Sequence, residues 1–229
     1  MPNHLNGLLL FDFDGTVYRG EAPFRVYAAH IAEAMAETDR ASYVARAARF
    51  LAGVAEVEAG DYWEAMRRLA DPFHLERQVF RDAFMKTRVY MMTDDCRLEV
   101  PSTLLPFLIR VRQRVVVVLA SNSPEEACVP LLEKLGLGDA FDAIRPGARK
   151  PAGLLPIIDG LVTRFSIPAG RVLSVGGHYV NDIAPARETG YRTAYITPTD
   201  YFPGPVDIAG RQLEDVLPAV EAWVDSLAP

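Results

Sequence analysis

A chain of 229 residues, half of them hydrophobic and 24% charged, can bury a globular core without disulfide staples, as one domain or two small ones. Its 24 Lys and Arg against 30 Asp and Glu leave a net charge of −6, which argues against a long nucleic-acid contact. Small anionic ligands stay open, because a local cationic site can outweigh the global charge. The two cysteines, Cys96 and Cys128, make neither a disulfide framework nor a Cys-x-x-Cys pair, so a reducing cytoplasm is expected. The opening MPNHLNGLLLFDFDG has no basic region or small-residue cleavage site, and Asp12 interrupts its apolar run. A soluble, intracellular protein without a membrane partner is the expectation.

The apolar run 8–13, ended by Asp-Gly-Thr, predicts a buried strand that stops in a turn. Beyond Gly20 the texture changes. Segments 24–35, 42–54, 62–69 and 75–91 read as amphipathic helices, broken at Gly60-Asp61 and Asp71-Pro72. This is a helical block set between two parts of something else. A helix over 104–113 then leads into 115–120, a β-branched run that predicts a fully buried strand. Helices at 125–135, 154–165, 181–189 and 213–227 alternate with strands near 141–144, 172–175 and 192–196. The stretch 198–205 is a proline-rich loop. Such alternation predicts right-handed βαβ units, hence an α/β fold with a doubly wound parallel sheet. The core is expected at residues 1–19 and 98–229, and a helical domain at 20–97.

Ligands of open parallel sheets bind beyond the carboxyl ends of the strands. Those ends carry Asp12, Asp14, Gly15 and Thr16 after the first strand, Ser121 and Asn122 after the next, then Lys150, then Gly176, Gly177 and Asp182. Asp12 and Asp14, two apart, would face the same way on an extended strand, where paired carboxylates call for a cation or a shared proton. Ser121 offers a hydroxyl donor and Lys150 a positive charge, both suited to the oxygens of a phosphoryl group. Asp182 adds a carboxylate toward a metal. The set predicts a carboxylate nucleophile, an acid/base group, phosphate anchors and a cation site.

The same residues resemble the haloacid dehalogenase-like (HAD) hydrolases. Their four motifs correspond to FDFDGT (11–16), Ser121 after VVVVLA, Lys150 in RKP, and GGHYVND (176–182). The resemblance runs over nearly the whole chain and implies a Rossmann-like core with a helical cap inserted after the first motif. It implies a phosphatase in which Asp12 attacks phosphorus and Asp14 protonates the leaving oxygen and then activates water. Thr16, Ser121, Asn122 and Lys150 would bind a small phosphorylated substrate, and Mg²⁺ would sit between Asp12, the carbonyl of Asp14 and Asp182. Asp14 sets the pattern apart from a dehalogenase, while a phosphosugar mutase or phosphonate hydrolase stays open. One departure stands out: Gly177 occupies the place where the family usually has an acidic residue. A weakened enzyme, or a phospholigand-binding regulatory protein, is therefore the competing expectation. His178 beside that position reads as a loop residue, since Mg²⁺ prefers oxygen ligands. His4, His30 and His74 read as residues without functional partners. Tyr18 and Arg19, near the hinge, read as contacts to the leaving group or, equally, as solvated loop residues, Tyr62 and Trp63 as core, and Arg67 and Arg68 as a solvated face.

Overall fold

The computed structural model describes residues 5–54, 56–168, 170–198 and 200–227. His4 lies outside them, as does part of the proline-rich loop. The chain divides into two compact units, Met1–Arg19 with Val100–Pro229, and Gly20–Glu99, so the second crossing falls two residues beyond the sequence boundary at 97.

The first unit is built on six parallel strands: β1 (Leu8–Phe11), β2 (Val116–Ala120), β3 (Ala143–Arg145), β4 (Val172–Gly176), β5 (Arg192–Ile196) and β6 (Ile208–Gly210). Their spatial order is β3-β2-β1-β4-β5-β6, the doubly wound order in which the direction of winding reverses between β1 and β4. Every residue of β1, β2 and β4 is buried, which is why β1 and β2 read as continuous apolar runs instead of alternating ones. The period of two still sorts the faces. Leu8, Leu10, Val116 and Val118 pack with Leu154, Ile158 and Leu161 of one helix (Leu154–Phe165). Phe11, one residue on, meets Phe107 of the helix Leu104–Val111 edge-on at 6.5 Å and Phe141 at 6.3 Å. Fully burying side chains of this size stabilises by roughly 1.5–3 kcal/mol each.

Helices Ala22–Ala32, Glu37–Leu51, Tyr62–Leu69 and Arg77–Met91 form the second unit around its own core of Tyr27, Ile31, Tyr43, Met66 and Leu69. Trp63 meets Phe24, Tyr27 and Phe84 with ring centroids 5.1 Å apart in each case, and Tyr43 Oη donates to the Met66 carbonyl at 2.9 Å. Arg67 and Arg68 are exposed, and Arg68 pairs with Glu64 one turn earlier. No helix among the described residues is long and apolar enough to cross a membrane.

Two elements differ from the sequence reading. β6 is only Ile-Ala-Gly, too short to show any period; it is held by parallel pairing to β5 and by Thr197 N–H donating to Gly210 O at 2.8 Å. The helix expected over 181–189 is instead a π-helical turn (Tyr179–Ile183) followed by a short α-helix (Ala184–Glu188). Pro185, near the start of that helix, lacks the N–H that a continuous helix would use, and the His178 ring accepts Asn181 N–H at 3.3 Å.

Asp207 joins β5 to the approach of β6. Its Oδ2 accepts from Thr193 N (3.0 Å) and Thr193 Oγ1 (2.9 Å), and its Oδ1 from Arg192 (2.9 Å). Burial alone would raise this carboxyl, but the hydrogen bonds from Thr193 and Arg192 outweigh it and hold it below the usual carboxylate range. A depressed folded-state value stabilises the fold above the unfolded carboxylate pKa, and that contribution is lost as pH falls through the folded value. Asp207→Asn should cost about 1–3 kcal/mol at pH 7. In thermal melts the gap to wild type should close toward acid; a gap that is constant from neutral to acid pH would refute the linkage.

Candidate active site

Strand ends at the reversal point bring the polar residues together. β1 stops at Phe11, and Asp12 continues its line by donating its N–H to Val175 O of β4 at 2.9 Å. Asp14 is not on the strand. Thr16 and Val17 N–H both return to Phe13 O, closing a turn in which Gly15 takes φ +77°, a conformation that costs glycine little. The expectation that Asp12 and Asp14 share a strand face is therefore corrected, because the extended backbone ends before the second carboxylate.

The deepest feature is a buried chain of charge. Lys150 Nζ donates to Asp12 Oδ1 at 2.8 Å and to Asp182 Oδ1 at 2.5 Å. The Lys150 and Asp182 side chains are each 2% exposed and Asp12 13%. Burial would lower the Lys150 ammonium, but Asp12 and Asp182 outweigh it and raise it above its ordinary value. Burial pushes the Asp12 carboxyl up to about 7 against the pull of Lys150, with the charges of Asp182 and Asp14 adding to the rise. Lys150 is thus the firmly charged member, and Asp12 is the one whose charge is poorly supported.

The surroundings fix this chain in place. Asn122 clasps the main chain of Lys150, accepting from its N–H at 2.6 Å and donating to its carbonyl at 3.0 Å. Both ends of the amide are thereby engaged, so the geometry gives Asn122 the task of holding Lys150, where a substrate contact was expected. Asp182 Oδ2 accepts from His178 N–H at 3.0 Å. A Cβ at Gly176 would collide with the Asp182 carboxylate, so only glycine lets the π-helical turn close against β4. Gly177 is different. A Cβ there would lie 3.6 Å from Thr16 Oγ1 and Ile196 O and 3.9 Å from Gly15 O, which is ordinary contact.

Of the remaining expected residues, Ser121 is buried, and its Oγ accepts from Ser123 N–H at 3.1 Å, which leaves its own hydroxyl hydrogen to donate. Thr16 Oγ1 lies 3.4 Å from Asp12 Oδ2, too long for a strong hydroxyl hydrogen bond. Two partners escaped the sequence reading. Tyr18 Oη donates to Asp14 Oδ1 at 2.5 Å and Ser123 Oγ to Asp14 Oδ2 at 2.6 Å. Tyr18 is 2% exposed, so it is not a solvated loop residue. The only sequence signal was proximity: Tyr18 lies four residues beyond Asp14, and Ser123 two beyond Ser121.

For a cation, both oxygens of Asp182 are engaged, whereas Asp12 Oδ2 has, among the described residues, only the long contact to Thr16. No group of three or more His, Cys, Asp or Glu side chains among the described residues is arranged to hold a metal. Removing one partner of a buried ion pair strands the other, at about 3–5 kcal/mol. Lys150→Met should lower the urea midpoint at pH 7 accordingly, and adding Asp182→Asn should restore part of the loss. Strictly additive effects would show that the two groups are not coupled.

The model of one family, the haloacid dehalogenase-like hydrolases, matches residues 7–190. No curated protein matches the chain. Among solved structures, the proposed HAD-hydrolase YfnB from Bacillus subtilis, determined with bound magnesium, is 17% identical with TM-score 0.62, covering 94% of this chain and 99% of its own. A HAD phosphatase from Thermococcus onnurineus is 18% identical with TM-score 0.57, covering 93% and 97%. A proposed beta-phosphoglucomutase from Thermotoga maritima is 17% identical with TM-score 0.61, covering 94% and 99%. Dehalogenases share the fold at similar identity. At these identities the likeness to solved structures speaks to fold alone. The family match extends over most of the chain and over the ends of β1 to β4, which carry the polar residues, and the protein belongs to the haloacid dehalogenase-like hydrolases.

Proposed function

We propose that the protein hydrolyses phosphate monoesters of a small metabolite through an aspartyl-phosphate on Asp12. The observation that carries this reading is a second carboxylate, Asp14, held by its own hydroxyl partners beside an Asp12 that is tied to a buried ammonium. A dehalogenase, whose leaving group is a halide, has no leaving oxygen for a second carboxyl group to protonate.

In the first step an Asp12 oxygen forms a bond to phosphorus while the ester P–O bond breaks. Asp14 gives its proton to the leaving oxygen, so an alcohol departs neutral. In the second step Asp14 takes a proton from water, whose oxygen attacks phosphorus. The P–O bond to Asp12 then breaks, releasing inorganic phosphate and restoring the carboxylate. Lys150 offsets charge beside Asp12, and the Ser121 hydroxyl donates to a phosphoryl oxygen. Mg²⁺ held by Asp12 and the Asp14 carbonyl would supply further charge neutralisation on the phosphoryl group. One available carboxylate oxygen suits a cation that keeps most of its waters and takes another ligand from substrate phosphate. The helical unit, as a cap, would select the substrate, and the two buried thiols suit a reducing cytoplasm.

A second reading, a phospholigand-binding protein with little turnover, is favoured by Gly177 and by the full engagement of Asp182. Turnover of p-nitrophenyl phosphate with added Mg²⁺ separates the two. Under the first reading Asp12→Asn abolishes turnover, Asp14→Asn slows it by roughly 10²–10⁴-fold, and beryllofluoride modifies Asp12. A clean Asp12→Asn preparation with wild-type turnover would sink the assignment.

The free protein should bind Mg²⁺ weakly, and more tightly with inorganic phosphate present. The Gly177 position has room for a side chain on the side of Thr16 and Gly15. Gly177→Asp should therefore fold normally and tighten Mg²⁺ binding in calorimetric titration. Equal affinities in two well-folded proteins would mean that another group already supplies that ligand.

A further inference from the structure

Asp14 is positioned by two residues from different strand ends. Tyr18 comes from the turn that follows β1, and its Oη meets Asp14 Oδ1 at 2.5 Å. Ser123 follows β2, and its Oγ meets Asp14 Oδ2 at 2.6 Å. Each carboxylate oxygen thus has one hydroxyl, which fixes the rotation of the group about both side-chain torsions.

The two hydroxyls are themselves held. Tyr18 is 2% exposed and its ring meets Phe13 edge-on at 5.2 Å. Ser123 is 5% exposed; its N–H donates to Ser121 Oγ at 3.1 Å, and its carbonyl accepts from Gly147 N–H at 2.8 Å. An exposed loop carboxylate could sample several rotamers, but one pinned at both oxygens by buried partners cannot do so without breaking two short hydrogen bonds. The chemical type of the partners matters too. A hydroxyl can donate to a carboxylate and accept from a carboxylic acid. An ammonium or amide N–H in the same place could only donate, and would hold one form of Asp14 at the expense of the other.

We infer that Tyr18 and Ser123 are the positioning residues of the acid/base group, holding Asp14 in the orientation from which it protonates the leaving oxygen. This rests on the reading of Asp14 as the group that protonates the leaving oxygen. It adds to that reading a division of labour: Lys150, with Asn122 and Asp182 behind it, orders the nucleophile, and a separate hydroxyl pair orders the proton donor.

The test uses leaving groups of different acidity, because a misplaced proton donor harms poor leaving groups most. Tyr18→Phe, Ser123→Ala and Ser123→Thr would be assayed with Mg²⁺ on p-nitrophenyl phosphate and on phenyl phosphate. Circular dichroism and melting curves would confirm folding. Tyr18→Phe and Ser123→Ala should each lower kcat on phenyl phosphate roughly tenfold or more, a part of the 10²–10⁴-fold general acid contribution. The loss on p-nitrophenyl phosphate should be clearly smaller, with KM unchanged, and Ser123→Thr should recover most of the rate. In an Asp14→Asn background the same substitutions should add nothing. Equal losses on both esters, or losses that persist in the Asp14→Asn background, would overturn the inference and leave Tyr18 and Ser123 as packing residues. Wild-type rates in both variants beside a crippled Asp14→Asn would refute the positioning pair while sparing the acid/base reading. Wild-type rates in Asp14→Asn itself would refute that reading, and the inference with it.

Discussion

A single ammonium group, Lys150 Nζ, lies between two buried carboxylates, and the rest of the site is arranged around keeping it there. Charges taken out of water lose several kcal/mol of hydration each, and their attraction offsets this only when geometry is good and remaining lone pairs are satisfied. The chain meets that condition from three directions. Asn122 fixes the backbone of Lys150, His178 N–H takes the second oxygen of Asp182, and Gly176 lets Asp182 approach β4 without a Cβ in the way. None of these groups needs to touch a substrate, yet each determines where Asp12 sits. The net outcome is two negative charges against one positive, with Asp14 adding a further negative field. An electrostatic deficit of this kind disfavours the ionised form of Asp12 until positive charge arrives from elsewhere. The site is thus incomplete in charge, although both oxygens of Asp182 are hydrogen-bonded.

Much of this was legible in the sequence, for identifiable reasons. Strands β1 and β2 are buried on both faces and so appear as unbroken apolar runs, each ended by a polar residue, and β4 is an apolar stretch around Ser174 that stops at a glycine pair. That gave Asp12, Ser121 and the Gly176 turn their places without any knowledge of contacts. The helices Tyr62–Leu69 and Leu154–Phe165 begin and end where patterning puts them. What stayed hidden depends on long-range or very short-range geometry. β6 exists because β5 offers a free edge, and three residues carry no periodic signal. The π-helical turn differs from an α-helix by a shift in hydrogen-bond register that composition does not record.

The partners of Asn122, Ser123 and Tyr18 stayed hidden for a related reason. A sequence shows which polar residues crowd near a strand end, but not which of them face a ligand and which face one another. The fold uses two of these three on Asp14 and the other on the main chain of Lys150. Buried polar groups must find partners, and residues near a charged centre are the ones best placed to supply them.

Parallel pairing gives the site a built-in ruler. Phe11 lies level with Leu119 on one side and with Val175 on the other, so Asp12, the last residue of β2 and the last residue of β4 share one height. A strand advances about 3.3 Å per residue, close to the length of a hydrogen bond. A slip of one position between β1 and either neighbour would shift the Asp12 carboxylate by a full bonding distance and turn it to the opposite face. Tolerance to sequence change should therefore differ sharply within the sheet. Exchanges among apolar residues that keep alignment leave the active centre intact, whereas an insertion or deletion of a single residue inside β1 or β4 dismantles it from several residues away.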